Sequence, residues 1–333
     1  MYRLNAGSER HVVRAIATAL LIAWISLPVL PAVAQEYPAH EIHAICAYPA
    51  GSGADILVRF YSNRIAKLAG KPVIVENKAG AQGLIGTEFA ARAKNDGYTI
   101  LVTPASANLA AAAHLYKKLP YDPIKDFTPV APIARLNFMI AVAGKSPIKT
   151  VGELVEELKK KGEKGSYAIG NNTGQVSAAI FKEMAGLKTV MINYKGAAQA
   201  VTDLVGGQLD FMIWDATFMI GQARSGLVRV LAVTGASRTS ALPDIPTMAE
   251  SGFPGFDLSA WWGVVVPAGT PKPIVDKLAG WIGQINASEE TRQYLQNVAT
   301  DVFPGTPESM AALIKQDTER WEQFVKLAKI ELQ

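Results

Sequence analysis

Tyr48-Pro49-Ala50-Gly51-Ser52-Gly53-Ala54-Asp55 joins an apolar run to an amphipathic one, and its reading decides the fold. The run before it, Glu41 to Ala47, alternates as a strand does. After it, Ile56, Leu57, Phe60, Ile65 and Leu68 fall near one helical face, which predicts a helix over Asp55 to Ala69. A Gly-rich turn at a helix start leaves backbone N–H groups free to converge on an anion. The turn carries no Lys, Arg or His, so it suits reversible capture of a carboxylate better than a tight grip on phosphate. Asp55 has a plainer role open to it as the first helix cap.

Working outward, the pattern continues as strand, helix and strand. Pro72 to Glu76 reads as a second strand, a helix begins near Leu84, and Tyr98 to Val102 is a third strand. This βαβαβ order implies a parallel sheet with helices on its faces. Ligands bind such sheets beyond the carboxyl ends of the strands, where both Gly51-Ser52-Gly53 and Thr103-Pro104-Ala105-Ser106 fall. The pattern then restarts. Phe138 to Val142 is a strand, and Thr150-Val151-Gly152-Glu153 is a capping box opening a helix to Lys161. Strand Tyr167 to Ile169 runs into Gly170-Asn171-Asn172-Thr173-Gly174, and strand Leu209 to Trp214 ends at Asp215-Ala216-Thr217. Thr270 and Thr306 stand where they would cap helices opened by Pro271 and Pro307.

Residues 1–34 read as a secretory signal peptide. Arg3, Arg10 and Arg14 precede the apolar run Ala15 to Leu27, and Ala32-Val33-Ala34 makes a small-residue cleavage site before Gln35. A membrane anchor is the rival, but Pro28 and Pro31 interrupt a run already short of the ~20 residues a span needs. Cleavage removes three Arg and one Glu, taking the formal charge of the 333-residue chain from +4 to +2. So weak a bias singles out neither nucleic acid nor a membrane surface as partner. Cys46 is the one cysteine, so no internal disulfide forms, and with three mature His it supports no metal cluster. We expect neither metal nor cofactor.

Gly51-Ser52-Gly53 with Glu76 is also half of a dinucleotide fingerprint, but Ile56 stands where the third Gly belongs. Ser52 sits in no Gly-x-Ser-x-Gly elbow, and no His is placed by sequence as its base. Asn171, Thr173 and Ser177 form a donor-rich cluster that is equally ordinary turn chemistry. Asp215 either faces a cleft or caps the next helix, and Lys195 follows Tyr194 at a strand end. Of Trp261 and Trp262, adjacent on a strand, one is free to line a cleft while the other is buried.

Several segments together resemble the periplasmic solute-binding receptors of tripartite tricarboxylate transporters, the Bug family. They are Tyr48 to Asp55, Val75-Glu76-Asn77-Lys78-Ala79-Gly80-Ala81, Asp96-Gly97-Tyr98-Thr99, Tyr194-Lys195-Gly196 and Val205-Gly206-Gly207-Gln208-Leu209-Asp210. Leu242-Pro243-Asp244-Ile245-Pro246-Thr247 and Pro267-Ala268-Gly269-Thr270-Pro271 continue the series. The resemblance implies a two-lobed α/β flytrap with parallel-rich sheets and a cleft between lobes. Lobe 1 would take 35–137 and the return segment 260–333, with 138–259 as lobe 2. It implies a receptor rather than an enzyme, working in the periplasm with one small and one large membrane subunit, and the weak charge bias with a receptor's need to close argues for a monomer. The ligand is expected to be a carboxylate, either an aromatic diacid such as terephthalate or an aliphatic dicarboxylate. Expected around it are Tyr48, Ala50, Gly51, Ser52, Gly53, Ala54 and Asp55, with Thr103 and Ser106 from the third strand end. Facing them are Asn171, Thr173, Ser177, Lys195, Asp215, Ala216 and Trp261. The family's first loop usually has Gly where Ser52 stands here. Two alternatives stay open: an exported hydrolase using Ser52 or Asp215, and a ligand sensor for a membrane signalling partner.

Overall fold

The computed structural model describes residues 36–194 and 196–332; the expected signal peptide 1–34, its cleavage point at Gln35, and Lys195 lie outside them. His40–Gln333 form one compact unit. Strand β1 (Ile42–Cys46) enters helix α1 (Gly53–Ala69), followed by β2 (Val73–Asn77), α2 (Leu84–Ala91) and β3 (Thr99–Thr103). Both β2 and β3 pair parallel with β1, whose Ile42, Ala44, Ile45 and Cys46 are fully buried. Burial pushes the Cys46 thiol up to about 12, so it behaves as a small apolar core residue.

Strand β4 (Phe127–Ala143) is far longer than the apolar stretch Phe138 to Val142 announces. It is followed by α3 (Val151–Lys161), β5 (Ser166–Ile169), α4 (Asn172–Ala185), β6 (Val190–Asn193) and α5 (Ala197–Val205). Next come β7 (Phe211–Asp215), α6 (Ala216–Arg224), β8 (Val228–Val233) and β9 (Ser259–Pro267). The chain closes with α7 (Lys272–Ala287), α8 (Glu289–Asn297), β10 (Thr300–Val302) and α9 (Pro307–Leu327).

The strand order is β2-β1-β3-β9-β4-β7-β5-β6, with β8 and β10 also paired to β4. Pairing is parallel toward both ends, where β1–β3 and β5–β7 sit, and antiparallel in the middle. The reason is β4 itself. Its first part, Phe127 to Asn137, pairs with β9, and its second part, Phe138 to Ala143, pairs with β7 and β8. One strand thus serves both lobes of a two-lobed α/β fold. Each lobe has its own core: Ile45, Leu101, Trp261, Val265 and Met310 in one, Met139, Leu204, Met212, Trp214 and Val233 in the other. Among the described residues no helix is long and apolar enough to cross a membrane.

The predicted caps at Thr150 and Thr306 form, each side chain accepting from a backbone N–H three residues on. Thr270 does not cap: its hydroxyl donates to Pro267 O (2.7 Å), and α7 starts beyond Pro271 with no side-chain cap. Thr306→Ala is expected to lower stability by ~1 kcal/mol, read from the midpoint of chemical denaturation. An unchanged midpoint would refute a stabilising role for that cap.

Candidate functional site

The first Gly-rich turn is built around Asp55, though not as the cap. Ser52 is the N-cap of α1, its Oγ accepting from Asp55 N (3.3 Å) and donating to Pro49 O (2.6 Å). Asp55 lies one turn in, where its carboxylate gathers the loop. Oδ2 accepts from Gly51 N (3.0 Å) and Arg59 Nε (2.8 Å), and Oδ1 accepts from Asn77 Nδ2 (2.8 Å). Burial alone would raise its pKa, but the hydrogen bonds from Arg59, the Gly51 amide and Asn77 outweigh it and hold the carboxyl below its ordinary value. Asn77 Nδ2 also reaches Tyr48 O (3.0 Å), and the Tyr48 hydroxyl lies 2.8 Å from Asn108 Oδ1. The turn is therefore held in shape before any ligand arrives.

Three further helix starts face it. Asn171 caps α4, its Oδ1 accepting from Gly174 N (2.9 Å). Asp215 caps α6, its Oδ1 accepting from Phe218 N (3.0 Å). Helix α5 begins at Gly196 with no side-chain cap. Ser52, Asn171, Gly196 and Asp215 all line one cavity of about 40 Å³. A single water occupies ~10–15 Å³ of such space, so the cavity holds about three water-sized groups. Most of its other walls are apolar, with Pro104, Leu136, Phe138, Trp214 and Trp262 among them. Among its described lining residues there is no Lys, Arg or His. The positive field comes instead from the helix starts, each equivalent to roughly half a positive charge. Against it stands Asp215, whose pKa burial pushes up to about 6, the Phe218 amide opposing that rise.

Tyr48, Ser52, Ala54, Asn171, Thr173 and Asp215 are brought together on this cavity. The remaining expected residues are placed behind it or elsewhere. Gly53 backs directly onto Asp215: a Cβ added there would lie 1.9 Å from Asp215 Oδ1. Ala50 and Gly51 are in the turn, and Gly51 has φ +77°. Ser106 is buried and accepts from Trp261 N (3.2 Å), while Thr103 is buried with its hydroxyl unpartnered among the described residues. Ser177 donates to Thr173 O (2.8 Å), and Ala216 is buried as the first residue of α6. Of the two tryptophans it is Trp262 that reaches the cavity. Trp261 turns into the core of its lobe, donating from Nε1 to the buried Asp317 (2.8 Å), because successive strand residues face opposite ways. Sequence reasoning missed Leu136, Phe138 and the uncapped Gly196, although Gly196 stood in a segment already singled out, and of the tryptophan pair, one of which it expected at a cleft, it named Trp261 rather than Trp262.

A second, outer chamber of about 610 Å³ shares Tyr48, Pro49 and Gly170 with the inner cavity. Its remaining walls are Ala47 and the loop from Ala79 to Gly83, with Tyr116, Asn193 and Tyr194. The loop holds Ala81 (φ +45°) and Gln82 (φ +53°) in the left-handed region, a conformation costly for residues other than Gly. The Tyr116 hydroxyl donates to Asn172 Oδ1 (3.0 Å), linking the two sides of the cleft.

The family model described as "Tripartite tricarboxylate transporter family receptor" matches residues 57–330. Protein BugT of Bordetella pertussis is 30% identical over 299 residues, covering 89% of this chain and 91% of its own. A solved structure titled "Structure of periplasmic binding protein BugD" superposes with a TM-score of 0.84 at 34% identity, covering 89% of this chain and 100% of that one. "R. palustris Rpa4515 with adipate" gives a TM-score of 0.85 at 28% identity, over 90% of this chain and 100% of that one.

Proposed function

This chain belongs to the tripartite tricarboxylate transporter receptor family, and from that premise we propose that it captures a small organic carboxylate in the periplasm for delivery to a membrane transporter. The observation that carries the reading is the convergence of four helix starts on a cavity with no basic side chain among its described walls. Such a site stabilises an anion through backbone dipoles and lets it go again, as a delivery receptor must. The adipate held by the Rpa4515 protein supports the ligand class. In our reading an aromatic acid or an aliphatic dicarboxylate is bound partly through water. Lobe 1 comprises 35–137 and 260–333, lobe 2 comprises 138–259, and the chain acts as a monomer after removal of residues 1–34. Its partners are the small and large membrane subunits of a tripartite transporter. A hydrolase reading finds little support in Ser52, whose hydroxyl is spent on Pro49 O and the start of α1.

Calorimetric titration with mono-, di- and tricarboxylates is expected to give one-to-one binding, with compaction in small-angle scattering. Binding confined to neutral ligands or phosphate esters would refute the carboxylate reading. A bound carboxylate with no compaction would refute closure of the lobes.

A further inference from the structure

Two hydrogen bonds cross the mouth of the cleft beside the inner cavity. The Tyr116 hydroxyl donates to Asn172 Oδ1 (3.0 Å), and Gln82 Nε2 donates to Gln175 Oε1 (3.5 Å). Tyr116 and Gln82 stand on the β1–β3 side, while Asn172 and Gln175 open α4 on the β5–β7 side. None of the four lines the inner cavity. Residues three apart share a helix face, so Asn172 and Gln175 present one side of the first turn of α4 to the opposite lobe. Asn171 and Thr173, in the same stretch, line the cavity. The start of α4 therefore meets the ligand site with one side and the opposite lobe with the other.

The half of this crossing that carries Gln82 is fixed from beneath. The Tyr48 hydroxyl lies 3.1 Å from Gln82 O and 2.8 Å from Asn108 Oδ1. Asn108 Nδ2 donates to Thr87 Oγ1 (3.0 Å), which donates to Gly83 O (2.8 Å). These bonds hold Gln82 at φ +53°, a conformation that persists only where its surroundings enforce it. The crossing is also only half made. Asn172 Nδ2 and Gln82 Oε1 are buried with no hydrogen-bond partner among the described residues. Closing the mouth thus forms a bond at one end of each amide and strips water from the other end. A buried polar atom left unpaired costs free energy of the same order as a hydrogen bond gains. The crossing neither locks the lobes together nor drives them apart.

We infer that Tyr116–Asn172, with Gln82–Gln175 beside it, is a balanced latch. It lets the lobes close part of the time with no ligand bound, and it sets how long they stay closed around one. The inference rests on closure of the lobes as proposed above, and not on which acid is bound.

The test places spin labels at Lys94→Cys and Lys160→Cys, one on each lobe and both exposed, while the buried Cys46 stays unlabelled. Pulsed electron resonance of the ligand-free protein is expected to show a closed distance beside an open one. Tyr116→Phe keeps the ring but leaves Asn172 Oδ1 unpaired, and should lower the closed-to-open ratio about fivefold. Adipate, used as the probe, should dissociate from that variant about fivefold faster in stopped-flow measurements, with association within about twofold. Gln82→Ala removes a long bond together with an unpaired oxygen, so it should change either quantity by less than about twofold. A ligand-free parent that is wholly open would overturn the latch. So would a Tyr116→Phe protein that matches the parent in both ratio and dissociation rate. A Tyr116→Phe change that reorders acetate, adipate and benzoate would overturn it too, since Tyr116 would then be touching the ligand. If adipate does not bind, the carboxylate reading is what suffers, and the label distances still decide the latch.

Discussion

Gly53→Val will abolish carboxylate binding, lowering affinity by about 100-fold or more, which is about 2.8 kcal/mol. A Cβ at this position would lie 1.9 Å from Asp215 Oδ1 and 2.8 Å from its Cγ. Real Cβ atoms do not approach that closely, and Asp215 cannot swing aside cheaply because its Oδ1 is fixed by the Phe218 amide. The first turn and the start of α6 must therefore separate, and the cavity between them opens to water. Once water competes, each hydrogen bond to the ligand contributes only ~1 kcal/mol net. Gly51 provides the control. Nothing lies within 4 Å of a Cβ built there, but its φ is +77°, so Gly51→Ala meets only the left-handed backbone penalty of ~1–2 kcal/mol. We expect Gly51→Ala to reduce stability more than closure and Gly53→Val to reduce closure more than stability. Calorimetry with small-angle scattering separates the two. Gly53→Val binding and compacting normally would show that the two elements need not touch in the working protein.

How much of this was legible in the sequence depends on which force set each element. The β1–turn–α1 unit was readable because Gly, Ser and Asp fall where a helix start needs them. The same chemistry exposed Asn171 and Asp215, since a residue that caps a helix at a strand end also faces the ligand side of the sheet. Asp55 misled by one turn, because Ser52 takes the cap and leaves Asp55 to gather Gly51, Arg59 and Asn77. Strand β4 was read only over Phe138 to Val142. Its earlier part carries Pro129 and Pro132, which argue against a strand, yet both sit where the register with β9 shifts, the place a sheet tolerates proline. Those shifts also decide which residues of β4 and β9 face the cavity. Each slip of one residue reverses a face, so Leu136, Phe138 and Trp262 stayed hidden, as did the turning of Trp261 into the core. Ser106–Ala111 carries no sequence expectation and is a π-helical turn, a form with no sequence period of its own.

Among the described residues lining the inner cavity Asp215 is the one acid, and it makes both stability and binding depend on pH. Burial raises its pKa to about 6, while the unfolded carboxyl titrates near its ordinary value of about 3.9. The native state therefore holds a proton that the unfolded state has already lost. The stability this contributes is complete below the unfolded value and disappears as pH rises through about 6, a total of about 3 kcal/mol. Only hydrogen bonds from the Phe218 amide and its own backbone amide oppose that rise, and they do not outweigh burial. A ligand carboxylate arriving beside Asp215 pushes in the same direction, because two like charges in one site resist joint ionisation. Carboxylate affinity should accordingly fall as pH rises above 6, approaching about tenfold per pH unit if one proton is taken up with each ligand. Asp215→Asn keeps an acceptor for the Phe218 amide but removes the ionisation. It is expected to bind with nearly constant affinity from pH 5 to 8 and, if one proton is taken up with each ligand, up to about 100-fold more tightly than the parent at pH 8. It should also lose the decline in stability that runs from about pH 4 to about pH 6. Asp215→Ala would remove the cap as well, costing ~1 kcal/mol and blurring the comparison. Titrations in two buffers of different ionisation enthalpy count the proton directly. Equal affinities at pH 5 and 8 for the parent, with no proton taken up, would mean that Asp215 stays ionised beside the bound carboxylate.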